Sequence, residues 1–148
     1  INDLKDNYED ISLMGISGGG WYTVLLSAII PEIKTSISYA GSLPLSYRLY
    51  PIGWGSDWEN NLSYLYKKFS YWKLYTLMTY DSKGVNNRKS FFIYNDNDIC
   101  CFSDPIASKF KATVKYLNKK NWNVIVDKND LHTMNTELVN SILFKKNP

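Results

Sequence analysis

The sequence has few of the residues from which metal centres and disulfide frameworks are built. Its 148 residues include one histidine, His132, and two cysteines, Cys100 and Cys101, which are neighbours in the chain. Structural zinc sites and disulfide-rich folds need several such residues at characteristic spacings. We therefore expect neither a metal nor a cofactor. Because adjacent cysteines can close only a small ring, we expect two buried thiols, with a redox pair as the alternative.

Long apolar runs and an excess of one charge are also missing. No stretch is long enough to cross a bilayer as a helix, so we expect no membrane span. Lysine and arginine total 17 against 14 aspartates and glutamates, and the net charge of +3 is spread over scattered pairs such as Lys67 and Lys68. This distribution is typical of a solvated surface and predicts no nucleic-acid partner. The sequence begins at Ile1 and leaves the compartment, cytoplasmic or secreted, unknown.

The chain has enough apolar material for one core, since 45% of its residues are hydrophobic, and we expect one domain over 1–148.

Aromatic residues are concentrated between positions 47 and 80, which carry 11 of the 23. We interpret about 45–88 as a helical lid inserted over the sheet edge that carries the active centre, with helices starting near Asp57 and spanning Tyr71–Met78. Most of its rings should fill core space. Stacking on a sugar or an aromatic ester is the alternative, with Trp54 and Trp58 as candidate substrate contacts.

The most informative stretch reads strand, sharp turn, helix. An apolar run, Ile11–Ile16, predicts a short buried strand, and Trp21–Ile30 predicts a helix packed on the sheet. Ser17 lies at the corner in the pattern G-x-S-x-G, in which Gly15 and Gly19 are expected to relieve steric conflict across the turn. Such an elbow exposes a serine hydroxyl and directs the N–H groups of the following helix towards the reaction centre.

The rest of the chain alternates between strand and helix patterns. This alternation predicts a mostly parallel sheet of about four strands with flanking helices, an α/β fold whose chemistry lies at the carboxyl edge of the sheet. Beyond the elbow, the predicted strands are Thr35–Ala40, Ser90–Tyr94 and Asn123–Asp127, and the predicted helices are Ile106–Asn118 and Met134–Phe144.

Candidate partners for Ser17 follow the third and fourth predicted strands. A serine hydroxyl needs a base at neutral pH, and His132 is the only histidine in the chain. A carboxylate must in turn orient the imidazole and stabilise its cation. Asp98 is preferred because it lies several residues past its strand, where the loop can turn towards His132, while Asp96 stays open as the alternative.

Four segments together resemble the carboxyl half of an α/β-hydrolase of the dienelactone hydrolase and esterase type. These segments are Gly15 to Trp21 (GISGGGW), Ala40 to Pro44 (AGSLP), Asp98 to Phe102 (DICCF) and Asp130 to His132 (DLH). The resemblance implies hydrolysis of a small-molecule ester through an acyl-serine. In it Ser17 attacks, His132 relays the proton, Asp98 orients His132, and backbone N–H groups, that of Gly18 among them, hold the oxyanion. Trp21 is a further possible substrate contact.

The resemblance also implies an amino-terminal part of the fold that this sequence does not contain. Hydrolases of this type have several strands before the elbow, and one of their loops supplies the second oxyanion N–H. We therefore expect the amino-terminal half of the fold to be supplied in cis or by another chain. Two other functions stay open: a serine peptidase of the prolyl-oligopeptidase kind, and a catalytically silent fragment that serves as an interaction module.

Overall fold

Four parallel strands form one sheet in the computed structural model, which describes residues 2–48 and 58–144. The strands are paired in chain order, β1-β2-β3-β4. This confirms the four-stranded parallel sheet, and all four carboxyl ends lie on one edge. The strand bounds are β1 Ile11–Ile16, β2 Ile33–Tyr39, β3 Lys89–Asn95 and β4 Trp122–Asp127.

Helices connect and cover the strands. They are α1 Asn2–Lys5, α2 Gly18–Ile29, α3 Ser63–Lys68, α4 Tyr71–Leu77, α5 Ile106–Tyr116 and α6 Thr136–Phe144, with single 3₁₀ turns at Leu45–Tyr47 and Trp58–Asn61. The elbow helix α2 begins at Gly18, three residues before the predicted start, because the glycines of the elbow form its first turn. None of the helices in the described part of the chain is long and apolar enough to cross a bilayer.

Alternate residues of the strands face two different cores. On one face, Phe92 and Tyr94 of β3 pack with α4 and with Phe110 of α5. On the other face, Ile93 of β3 joins Val139 of α6. The sheet is thus covered on both faces, as expected for parallel strands.

The aromatic segment contributes a large part of the first core. Tyr75 of α4 is fully buried, with its ring centroid 4.4 Å from that of Phe92, and Trp72 stacks on Trp122 at 5.8 Å. These contacts agree with the core-filling role expected for most of the rings. They make α4 a covering helix of the sheet. Trp54 and the predicted helix start near Asp57 lie outside the described residues.

A buried arginine ties this covering helix to the sheet. Arg88 is 1% exposed and donates hydrogen bonds to five backbone carbonyls, at distances between 2.5 and 3.2 Å. The acceptors belong to Ser27, Ile30, Ile33, Leu77 and Tyr80. The guanidinium therefore joins the end of α2, the start of β2 and the end of α4.

Strand β1 lies at the edge of the sheet. It pairs with β2, and within the described residues no strand pairs with its other side. Met14 on this strand is 47% exposed. An unpaired parallel edge strand presents free N–H and C=O groups that another strand could bind.

Candidate active site

Ser17 occupies a backbone conformation that L-residues rarely adopt. Its φ is 56° and its ψ is −128°, between the end of β1 and the start of α2. Two hydrogen bonds hold this corner: Ser17 N–H donates to the carbonyl of Tyr39 at 2.9 Å, and Trp21 N–H donates to the carbonyl of Ser17 at 3.0 Å. Such a conformation costs about 1 to 3 kcal/mol and persists only where its surroundings enforce it. The fold therefore maintains a strained serine at the carboxyl edge of the sheet.

Close backbone contacts explain some of the glycines of the elbow. A Cβ at Gly15 would overlap the carbonyl oxygen of Gly19, so the turn needs glycine at position 15. At Gly19 an added Cβ would meet no atom within 4 Å, and the steric need expected there is absent. A second close approach, which sequence spacing did not predict, joins Gly20 of α2 to Gly41 after β2. Glycine at both positions lets α2 pack directly on the chain leaving β2.

The N-terminus of α2 lies directly after Ser17. The helix begins at Gly18, and the first N–H groups of any helix have no partner within it. These groups carry partial positive charge and suit a developing oxyanion. Gly18 thus lies where the sequence analysis expected an oxyanion donor.

Asp98 and His132 form a hydrogen-bonded pair. Oδ2 of Asp98 lies 2.7 Å from Nδ1 of His132, and the Asp98 side chain is fully buried while 25% of the His132 side chain is exposed. The other carboxylate oxygen, Oδ1, accepts the backbone N–H groups of Cys100 at 2.7 Å and Cys101 at 3.1 Å. The loop after β3 therefore fixes the carboxylate, and the carboxylate fixes the imidazole.

Asp96, the alternative acid, has a different set of partners. Its Oδ1 accepts the backbone N–H of Asn129 at 3.1 Å, which joins the loops after β3 and β4. Asp130 likewise accepts a hydrogen bond from the Asn97 amide at 2.8 Å. The carboxylate placed against the ring is thus that of Asp98, as the sequence analysis preferred, and Asp96 holds the loop that carries His132.

The second ring nitrogen of His132 is not engaged. Nε2 is buried and has no hydrogen-bond partner among residues 2–48 and 58–144. The structure brings His132 to Asp98 but does not form a hydrogen bond between Nε2 and Oγ of Ser17. Such bonds are often long in enzymes without substrate and shorten when substrate binds.

Comparison with solved structures identifies this arrangement of strands and helices. The chain superposes on S-formylglutathione hydrolase FrmB from Staphylococcus aureus, with a TM-score of 0.53, 12% identity, and coverage of 89% of this chain and 54% of that one. It also superposes on an acylaminoacyl peptidase in complex with Z-Gly-Gly-Phe-chloromethyl ketone, with a TM-score of 0.55, 24% identity, and coverage of 97% and 22%. The acylaminoacyl peptidase of Pyrococcus horikoshii gives a TM-score of 0.54, 24% identity, and coverage of 96% and 22%.

The chain has an α/β-hydrolase fold. It spans about half the length of the first of these structures and about a fifth of the other two. No protein-family model matches the sequence, and no curated protein sequence does.

Within this hydrolase fold, a buried polar network holds the loop of His132. The amide nitrogen of Asn95, the last residue of β3, donates to the carbonyls of Leu131 at 2.6 Å and Thr133 at 3.0 Å, on either side of His132. The Tyr39 hydroxyl donates to Oδ1 of Asn95 at 2.8 Å. Burial raises the pKa of Tyr39 to about 12, so this hydroxyl stays protonated at neutral pH. Sequence analysis missed both residues because they carry no motif.

The two cysteines differ from expectation. Cys100 and Cys101 are joined by a disulfide, Cys100 is exposed and Cys101 is buried, so the prediction of two buried thiols was wrong. Both backbone N–H groups point at one oxygen of Asp98, which turns the chain tightly at this pair. The disulfide therefore lies in the loop that positions Asp98.

The tryptophans predicted as substrate contacts have unlike surroundings. Trp21 is 5% exposed, and its indole N–H donates to the Tyr66 hydroxyl at 2.5 Å, so it links α2 to α3. Trp58 is 70% exposed. Trp54 lies outside the described residues.

Proposed function

We propose that the protein is a serine hydrolase that cleaves a carboxylic ester through an acyl-serine intermediate. The observation that carries the proposal is the Asp98–His132 pair with a free Nε2, on the same sheet edge as the strained Ser17. Serine, acid and histidine follow β1, β3 and β4 in the chain order of α/β-hydrolases.

The reaction uses these groups in two stages. Oγ of Ser17 attacks the ester carbonyl while Nε2 of His132 takes its proton, and Asp98 stabilises the imidazolium through Nδ1. The carbonyl oxygen becomes an oxyanion next to the N–H of Gly18. His132 then protonates the leaving alcohol, and a water activated by the same histidine releases the acid from Ser17. No metal or cofactor is assigned a role in these steps.

A peptidase is the second candidate. Its support is the superposition on acylaminoacyl peptidases, which covers nearly the whole of this chain. Amide cleavage needs the same serine, base and acid but a more firmly protonated leaving group. Matched acyl-ester and acyl-amide substrates distinguish the two, and we expect turnover of the ester.

A second oxyanion donor should come from a partner segment. In α/β-hydrolases it belongs to a loop that precedes the elbow strand, and the outer side of β1 is unpaired in the described residues. We propose that the amino-terminal half of the fold, in cis or as another chain, pairs with β1 and supplies this donor. Residues 1–148 alone should then be at most weakly active, and adding that half should restore ester hydrolysis.

Covalent labelling tests the nucleophile. A fluorophosphonate should add to Ser17, and Ser17→Ala should abolish the adduct while leaving the fold intact. Ser12→Ala, at an exposed serine of the same strand, is the matched control and should label normally. Labelling at another serine would refute the assignment. If no serine reacts, even after addition of the partner half, the chain is a silent interaction module.

A further inference from the structure

Three residues with sulfur or nitrogen ligand atoms lie close together beside the proposed proton relay. The sulfurs of Cys100 and Cys101 and a ring nitrogen of His132 all lie within 4.8 Å of one another. The spacing of these residues in sequence matches no common metal motif, and the sequence analysis accordingly expected no metal. The loops after β3 and β4 nevertheless bring them together.

We propose that Cys100, Cys101 and His132 form a three-ligand site for a thiophilic divalent cation of the zinc class when the disulfide between the cysteines is reduced. Thiolate and imidazole are the ligands that zinc prefers, at about 2.3 Å for sulfur and 2.0–2.1 Å for nitrogen. Ligand atoms around such a tetrahedral ion are about 3.5 to 3.8 Å apart. The ring nitrogen therefore needs to approach the sulfurs by about 1.3 Å at most, and the two sulfurs must separate from bonding distance.

The surroundings of the three residues favour this rearrangement. Cys100 is exposed, so its side chain can rotate and the ion can reach it from solvent. The backbone of both cysteines is anchored to Asp98, so the pair stays next to His132 after reduction. Because Asp98 holds Nδ1, we assign the buried and unpartnered Nε2 as the histidine ligand. A carboxylate that orients a ligating histidine is a common feature of zinc sites.

Before the cation can bind, a thiol reductant must reduce the Cys100–Cys101 disulfide. Two thiols of the reductant, or one dithiol, supply two electrons and two protons, the Cys100–Cys101 bond breaks, and the reductant leaves as its own disulfide. On binding the ion, the two cysteine thiols release their protons to solvent, while neutral His132 contributes a lone pair. The complex of two thiolates and a divalent cation carries no net charge.

Occupancy of this site has a consequence that rests on the proposed function. With Nε2 bound to the ion, His132 cannot accept a proton from Ser17. Reduced, zinc-loaded protein should therefore be inactive as a hydrolase. The disulfide form, which offers no thiolate, should be insensitive to zinc.

Metal binding is the primary test and needs no substrate. Reduced protein, freed of reductant, is titrated with Zn²⁺ and with Co²⁺ as a spectroscopic probe. We expect one ion per chain and a thiolate-to-cobalt charge-transfer band, both lost on oxidation. Cys100→Ser, at an exposed position that is expected to keep its fold, should weaken binding more than about tenfold. His132→Gln should do the same, and Ser103→Ala in the same loop is the matched control with normal affinity.

Two results would overturn the proposal: equal zinc affinity in reduced wild type and Cys100→Ser, or bound cobalt without a thiolate band. Fluorophosphonate labelling in parallel tests the metal site separately from the proposed hydrolase function. The labelling rate of each variant with zinc is compared with its own rate without zinc. Zinc should slow labelling at least tenfold in reduced wild type and leave the oxidised protein unaffected. Zinc binding without any labelling, even after addition of the partner half, would support the metal site and refute the hydrolase. Labelling without zinc binding would support the hydrolase and refute the metal site.

Discussion

Replacing Asp98 by asparagine should select the wrong tautomer of His132. Oδ1 of Asp98 accepts two backbone N–H groups, and Oδ2 faces Nδ1 of the ring. An asparagine must keep its carbonyl oxygen on the two N–H donors, because its amino group cannot accept them. The amino group then faces Nδ1 and donates to it, so the ring proton moves to Nε2, and Nε2 can no longer act as a base.

The loss of rate in Asp98→Asn can be calculated from the cost of the other orientation of the asparagine amide. Turning the amide to restore the productive tautomer would leave two N–H groups without an acceptor, at about 1 to 3 kcal/mol each. The total of about 2 to 6 kcal/mol corresponds to a productive fraction lower by about one and a half to four decades, at about 1.4 kcal/mol per decade. The same substitution in a well-studied serine protease lowers turnover by about four decades.

Asp96→Asn provides the matched control. Asp96 uses one oxygen to accept the N–H of Asn129, and an amide oxygen can replace it there. We expect its rate to stay within about threefold of wild type. The assay is the rate of fluorophosphonate labelling, together with turnover of a small activated acetate, at equal folded fraction. Loss of less than tenfold in Asp98→Asn, or equal losses in both variants, would refute the tautomer argument.

Three further predictions concern the scaffold. Gly15→Ala should destabilise the fold by about 1 to 3 kcal/mol, because its Cβ would overlap the Gly19 carbonyl; Gly19→Ala should be tolerated, and denaturant midpoints of the two compared will show whether it is. Arg88→Met should cost at least about 3 kcal/mol by leaving buried carbonyls unpaired, whereas exposed Lys89→Met should change the unfolding free energy little. Burial raises the pKa of Tyr39 to about 12, above the value of about 10 in an unfolded chain. The unfolded state therefore loses this proton first, and stability should fall as pH rises from about 10 to 12, less steeply in Tyr39→Phe; an equal fall in the variant would contradict this.

The sheet was predictable because its signals are local. Short apolar runs separated by helical patterns indicate parallel strands. The loops after the first, third and fourth of these strands contain Ser17, Asp98 and His132, in the order found in α/β-hydrolases. The preference for Asp98 over Asp96 depended on distance along a loop, and the contact with His132 agrees with it.

The parts that sequence could not predict depend on contacts between distant segments. Arg88 has no motif, and its acceptors lie on three separate elements that meet only in the folded chain. The approach of Gly20 to Gly41 is similar, since each glycine looks like an ordinary turn residue until the helix packs. The Cys100–Cys101 disulfide depends on how the loop turns around Asp98, which composition does not reveal.

The placement of Ser17 relative to the Asp98–His132 pair depends on β2, which pairs with both β1 and β3. Ser17 follows β1 and Asp98 follows β3, so the two loops are separated by β2 and have no ladder in common. Tyr39, the last residue of β2, contacts both sides: its carbonyl accepts the N–H of Ser17, and its hydroxyl donates to Asn95, whose amide holds the carbonyls that flank His132. The Tyr39 carbonyl is a backbone group, so Tyr39→Phe should keep its hydrogen bond with Ser17 and leave the elbow in place. The variant lacks the hydroxyl that binds Asn95 and should therefore loosen only the loop of His132. Tyr39, to which the proposed mechanism assigns no bond-making step, therefore connects the elbow to the loop of His132.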